Sequence, residues 1–309
     1  MVEPFGAAEA LRRGLTPAAL RRQLRHRDLL VMRRGTYIDA ATWSAADSLR
    51  DRTLIELRAA QQCIDGVVGG FETAAIGHRY SLIGRGPRRL LLIRDAAPGR
   101  TPADLPGVRV LPAGLPATHQ TRIDHVLVTT GARTVVDMGR RRPFRAAVVV
   151  ADSALHAGLT EEELQAVLAD CAGWPGIRAA RHVVGFADGR AESPLESLGR
   201  VTMWEQSLPT PELQVRLGDE DANIGRVDFL LREQRTVGEA DGRIKYLDPR
   251  QQDGRQLLYL EKLREDDIRD LGYEMVRFGW RDATRDGERL AAWFRRAFAR
   301  AARRRAQLI

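Results

Sequence analysis

The sequence has only two cysteines, Cys63 and Cys171, far apart and without the paired spacing that holds zinc. Two such residues frame no disulfide scaffold, so a reducing compartment is expected. No secretory apolar stretch opens the chain, and no run of about 18 apolar residues exists to span a bilayer. The expectation is a soluble, cytoplasmic protein with no membrane partner. Glycine loops of the GxGxxG or GxxxxGKS kind are missing, which argues against a nucleotide or other small-molecule cofactor. His78, His119, His125, His156 and His182 do not stand at ligand spacing and are expected at surface or capped positions, while Ser153 and Cys171 have no recognisable activating partner. Lysine is nearly absent, so almost every basic residue is an arginine.

What is present is concentrated basic charge. The 309 residues carry a net +8. Residues Met1 to Arg34 hold a local +5, and Arg285 to Arg305 a local +6, so everything between nets −3. Basic ends favour a polyanionic partner. The length calls for two or three domains.

At the N-terminus, Ala7 to Arg13 reads as a short helix broken by Gly14-Leu15. Thr16-Pro17 then starts a second helix to about His26, with Leu20 and Leu24 as its buried stripe. Arg21, Arg22 and Arg25 ring the other face. Residues 29–38 read as two strands about Arg33, Arg34 and Gly35, a wing-like hairpin. Helix, turn, basic helix and wing is an arrangement that lays the second helix in the DNA major groove. The middle of the chain alternates helix-length and strand-like stretches, with a capping-box start at Thr160 to Glu163. Phe144 to Ala157 reads as a buried helix in which Asp152 is the outlier.

The C-terminal part carries the candidate chemistry. Gly225 to Leu231 reads as a strand whose Val227, Phe229 and Leu231 face one side and Asp228 the other. Thr236 to Asp241 reads as a second strand, with Glu239 and Asp241 on one face. Paired as a hairpin, the strands gather three carboxylates, and such a set calls for a hard cation among its oxygens. The competing reading is a solvated acidic face. Ser193-Pro194 reads as a helix start with Glu196 in its first turn, where a carboxylate also complements the helix dipole. Gln214 falls near the same face. Glu261 to Asp266 has helical spacing, where Lys262 and Arg264 serve either as surface ion pairs or as positive charge toward phosphate. A last strand, Glu274 to Trp280, and a closing arginine-rich helix from about Arg285 complete the chain.

Two resemblances organise these observations. Residues 191–298, with Asp228, Glu239-Ala240-Asp241-Gly242, Lys245-Tyr246, Glu261 to Asp266 and Leu271 to Trp280, resemble the very-short-patch-repair-like endonuclease domain of the PD-(D/E)XK nuclease superfamily. The N-terminal half resembles the winged-helix region of AbiEi-family antitoxins with the domain that follows it. They imply a multidomain α+β or α/β chain: a winged helix-turn-helix at 1–44, a mixed middle domain at 45–189 and an endonuclease-like domain at 190–309 with a mixed sheet flanked by helices. The resemblance implies Mg²⁺ or Mn²⁺ held by Asp228 and Glu239, with Asp241 as third ligand or proton acceptor. It assigns charge stabilisation to Lys245 and a metal-approaching carboxylate to Glu196. The motif places a lysine two residues after the glutamate, where this sequence has Asp241. DNA is the implied partner, through Arg21, Arg22, Arg25, Arg33, Arg34, Lys262 and Arg264, with a cognate toxin or a second copy as further candidates. The implied function is a Mg-dependent DNA endonuclease. The alternative is a DNA-binding regulator or antitoxin whose nuclease-like domain is degenerate.

Overall fold

A computed structural model describes residues 3–84, 86–97, 100–218, 225–242 and 254–307, with side chains at 261 onward in the last span. Mixed α/β structure with three sheets forms two compact units, Met1–Ala187 and Asp188–Ile309.

The first unit begins with β1 (Phe5–Gly6), α1 (Ala7–Arg12) and α2 (Pro17–His26). Thr16 caps α2 by accepting the Ala19 N–H at 3.2 Å, and Pro17 fills the first turn. Arg27, at φ 62°, ends the helix in the left-handed region. Leu20 and Leu24 pack on Phe5, Ala10 and Leu29. The hairpin of β2 (Leu29–Arg33) and β3 (Thr36–Asp39) follows, with β1 on its far side in the order β1-β3-β2. Gly35 turns it at φ +77°, a conformation that suits glycine.

After α3 (Ala40–Ala45), α4 (Leu49–Cys63) packs on both sheets of this unit. Ile55 meets Ile38, Leu30 and Met32 of the small sheet. Leu54, Leu57 and Ala60 join the core of a six-stranded sheet. That sheet contains β4 (Val67–Gly69), β5 (Leu90–Asp95), β6 (Ala103–Leu105), β7 (Val108–Ala113), β8 (Gln120–Ile123) and β9 (Val126–Thr129), ordered β6-β7-β5-β4-β9-β8. Helices α5 (Phe71–Gly77), α6 (Gly131–Arg141), α7 (Phe144–His156), α8 (Glu161–Asp170) and α9 (Ile177–Phe186) complete the unit. The Thr160–Glu163 capping box forms. Asp152 is buried with the rest of its helix face rather than standing out to solvent.

The second unit starts with α10 (Pro194–Glu205), capped by Ser193, whose Oγ accepts the Glu196 N–H. Strands β10 (Glu212–Leu217), β11 (Gly225–Leu231), β12 (Thr236–Ala240) and β13 (Glu274–Phe278) lie side by side in that order. The first three are antiparallel; β12 and β13 are parallel. A parallel pair requires a long crossover, and α11 (Gly254–Asp270) lies within it. Short α12 (Trp280–Thr284) and long α13 (Gly287–Gln307) close the chain. Both faces of the sheet are covered. Leu230 and Val237 pack with Ile268 of α11. Phe229 and Phe278 lie close to Gly199 of α10, and Phe294 of α13 lies close to Gly238.

Candidate functional site

Strand register builds the site. Phe229 pairs with Gly238, so one step on in this antiparallel ladder Asp228 stands across from Glu239. On the other side Leu213 pairs with Phe229 and Val215 with Val227, which leaves Gln214 opposite Asp228. Glu239 pairs with Arg277 of β13. Gln214, Asp228, Glu239 and Arg277 therefore form one row across four strands. The row shares its face with buried Leu230, so it is no solvated outer surface.

The groups are tied together. Gln214 donates from Nε2 to Glu196 Oε2 at 2.7 Å and to Asp228 Oδ1 at 3.4 Å. Its backbone sits at φ 55°, a left-handed value in mid-strand. Such backbone costs on the order of 1 kcal/mol or more and concentrates at functional sites. Asp228 Oδ2 accepts the Ala240 N–H at 2.8 Å. Glu196 accepts from the Glu192 N–H at 2.9 Å and from Ser193 Oγ at 2.7 Å. It thus serves its helix end and the row at once. From α11, Arg264 Nη2 donates to Glu239 Oε1 at 3.0 Å and to the Arg226 carbonyl. The Arg226 side chain turns instead to Glu192, at 2.6 Å.

Electrostatics set this cluster apart. Burial raises Glu239 most, Asp228's charge raises it further, and Arg264 and Arg277 offset part of this; its carboxyl is pushed up to about 7. Burial also lifts Asp228 above the usual carboxylate range, against the Ala240 N–H, Gln214, Arg264 and Arg226. Burial lifts Glu196 too, and the charge of Asp228 adds to it. Facing carboxylates share their protons, so Asp228 and Glu239 titrate as a coupled pair.

The predicted residues divide. Glu196, Asp228, Glu239 and Arg264 come together. Asp241 does not join them: β12 ends at Ala240, and Asp241 lies on the following loop. There it lines a cavity of about 460 Å³ with Trp280, Arg289, Trp293 and Arg277 of the row. The expected three-carboxylate set is thus reduced to two facing carboxylates with Glu196 beside them. Lys245 lies outside the described residues. Lys262 is exposed on α11. Arg21, Arg22 and Arg25 are exposed on α2, and Arg34 is exposed at the β2–β3 turn. Arg33 is half-buried and donates to the Pro106 carbonyl at 3.2 Å. Arg277 is an addition to the predicted set. Its only sequence signal is a charge alternating with Val276 and Phe278 in a strand; on the structure it also bonds Glu261 at 3.1 Å. His119 is another correction. It is buried, bonded to Asp170 at 3.0 Å and to Arg133 at 3.2 Å, in a polar cluster under α6.

Among the described residues, no three or more His, Cys, Asp or Glu side chains gather round one ion-sized point. Mg²⁺ takes one or two carboxylates and completes its shell with water and substrate phosphate. Two facing, desolvated carboxylates with hard oxygen donors fit that requirement, and Asp228 and Glu239 would be the ones to hold the ion. No helix among the described residues is long and apolar enough to cross a membrane.

No family model matches the chain. The crystal structure of the Rv2827c protein from Mycobacterium tuberculosis aligns with 59% of this chain and 71% of that one, at 16% identity and a TM-score of 0.39. Two Mycobacterium tuberculosis proteins, uncharacterized protein MT2308 and uncharacterized protein Rv2248, are each 30% identical over 245 residues. The match spans 77% of this chain and 85% of each of theirs. At that identity and coverage, the chain belongs to the family of the uncharacterized proteins MT2308 and Rv2248.

Proposed function

We propose that this chain binds DNA and hydrolyses a phosphodiester bond with a divalent cation, Mg²⁺ or Mn²⁺. One observation carries the reading: two carboxylates, Asp228 and Glu239, face each other across a strand pair, both raised above the usual carboxylate range by burial. Such a pair is costly without positive charge between it. When bound there, the cation would polarise the phosphate and lower the pKa of a coordinated water. Gln214 holds the Asp228 and Glu196 carboxylates in place through one amide. Glu196, whose carboxyl is raised by burial, is the carboxylate beside Asp228 suited, when ionised, to take the water's proton. Arg264 and Arg277 supply positive charge where the phosphorane oxygens gain negative charge.

The DNA-binding half of the proposal is supported by α2. Its exposed Arg21, Arg22 and Arg25 face away from the Leu20 and Leu24 stripe, next to a wing hairpin. Phosphate contacts from such a face are sequence-independent and salt-sensitive. A plasmid nicking assay with Mg²⁺ or Mn²⁺ tests the whole reading. Wild type is expected to cleave and Asp228→Ala to leave the plasmid intact. Absent or equal cleavage in both rejects hydrolysis.

A second reading keeps the DNA and drops the chemistry. Asp241 stands where the motif has its lysine, and Arg264 already neutralises Glu239. Under it the chain is an operator-binding regulator or an AbiEi-like antitoxin, with a degenerate second unit as a scaffold, a dimerisation surface or a seat for a toxin. A sequence-selective gel shift without metal and without cleavage products favours this alternative.

A further inference from the structure

In the row of facing carboxylates, Arg264 occupies an unusual position. It reaches from α11 to Glu239 Oε1 at 3.0 Å while the same Nη2 donates to the Arg226 carbonyl. Its path runs over Gly225, where a Cβ would come within 3.3 Å of Nε. Gly225 has φ +110°, so both the backbone shape and the space favour glycine there. The neighbouring basic side chain, Arg226, is held off by Glu192. Glu239 thus has a built-in monovalent cation on one oxygen. A divalent ion that took Glu239 and Asp228 would stand beside that guanidinium, and two positive charges on one carboxylate repel.

We propose that Arg264 is an exchangeable counter-cation: it neutralises Glu239 until a divalent ion takes the carboxylate, then passes to the phosphate that the ion holds. The inference rests on the hydrolytic reading above and specifies how the site manages without the motif lysine. A planar guanidinium is suited to this transfer, because carboxylate and phosphate oxygens offer it the same bidentate geometry. The resident arginine also offsets part of the burial of Glu239 before substrate arrives. Arg264 is here a positioning and charge-balancing group whose partner changes during the cycle.

The sign of one measurement separates this role from simple structural support. Mn²⁺ binding to the full chain, followed by electron paramagnetic resonance of the free ion, is compared for wild type, Arg264→Met, Arg264→Lys and Glu239→Gln. Arg264→Met is expected to bind Mn²⁺ about tenfold more tightly than wild type, because the competing charge is gone. The same variant should lose DNA cleavage. Arg264→Lys, which keeps the charge, should bind Mn²⁺ as wild type does and retain part of the cleavage. Glu239→Gln should lose Mn²⁺. If Arg264→Met binds Mn²⁺ equally or more weakly while folded by circular dichroism, the exchange role is overturned and the hydrolytic reading stands. If Arg264→Met does not fold, Arg264→Lys decides: tighter or weaker Mn²⁺ binding than wild type overturns the proposal. If Mn²⁺ binds none of the four proteins, or binds Glu239→Gln as well as wild type, the cation site itself is rejected and the proposal with it.

Discussion

Replacing Glu239 by Gln should stabilise the ion-free protein, by an amount that grows with pH. The carboxyl of Glu239 ordinarily titrates near 4.5, and in the folded chain it is pushed up to about 7 by burial and by Asp228. The folded state therefore holds a proton that the unfolded chain releases. Between pH 4.5 and 7 the native protein binds more protons, so stability falls as pH rises through that window. Below it the two states are equally protonated and Glu239 costs nothing. A tenfold difference in proton affinity between the two states is worth about 1.4 kcal/mol. Linkage then gives a penalty under about 1 kcal/mol at pH 5 that grows to roughly 3 kcal/mol at pH 8. The side chain is 16% exposed, so solvent screens little of this. Glutamine removes the charge and keeps an oxygen for Arg264. Urea titrations of both proteins in chelator, at steps from about pH 5 to 8.5, read the difference for the Asp228–Glu239 pair as a unit, because groups outside the pair largely cancel. A gain at pH 8 that shrinks toward pH 5 is expected. A difference that stays flat with pH, or a loss at pH 8, would refute the electrostatic account. Saturating Mg²⁺ should reverse the ranking at pH 8, since wild type then gains binding energy that the variant lacks.

Three further outcomes follow from particular side chains. Changing Arg21, Arg22 and Arg25 together to Ala should weaken DNA binding and flatten the plot of log affinity against log salt by about 0.9 for each phosphate no longer neutralised; an unchanged slope would place the phosphate-binding surface elsewhere. Gly199→Ala puts a methyl at 2.4 Å from Phe278 Cζ and 3.3 Å from Phe229. The clash should cost about 1–3 kcal/mol despite the better helix propensity of alanine, so a higher melting temperature would contradict the packing described. Asp137→Ala strips the buried Arg133 and Arg140 of their shared carboxylate, at 2.7 and 2.9 Å, and should cost about 3–5 kcal/mol in thermal or urea unfolding.

Signals in the sequence are legible where the physics is local. Thr16-Pro17 and Ser193-Pro194 state their helix starts outright, since a cap needs only one oxygen and one proline in order. Alternation of Val227, Phe229 and Leu231 marks a strand and turns Asp228 to the other face. The partnership of Asp228 with Glu239 follows from hairpin pairing. Departures arise where long-range register decides. Period-two spacing groups Asp241 with Glu239, but the strand stops one residue earlier, after Ala240. Arg277 reaches the row only through the parallel β12–β13 pairing, set by a crossover that no short window contains. The Pro106 carbonyl that Arg33 meets lies 73 residues away, so no short window shows that contact. His119 belongs with these, for its burial depends on α6 and α8 closing over it.

Helix α4 has one further consequence. Its Ile55 side seals the small sheet and its Leu54 and Leu57 side seals the larger one, so the two hydrophobic layers have a common wall. A fragment that stops at residue 44 would take the β2–β3 hairpin away without that wall, leaving Ile38, Leu30 and Met32 more open to water. The small sheet of this chain is then inherited with its neighbouring layer or not at all, and moving it onto another protein would require carrying the shared helix along.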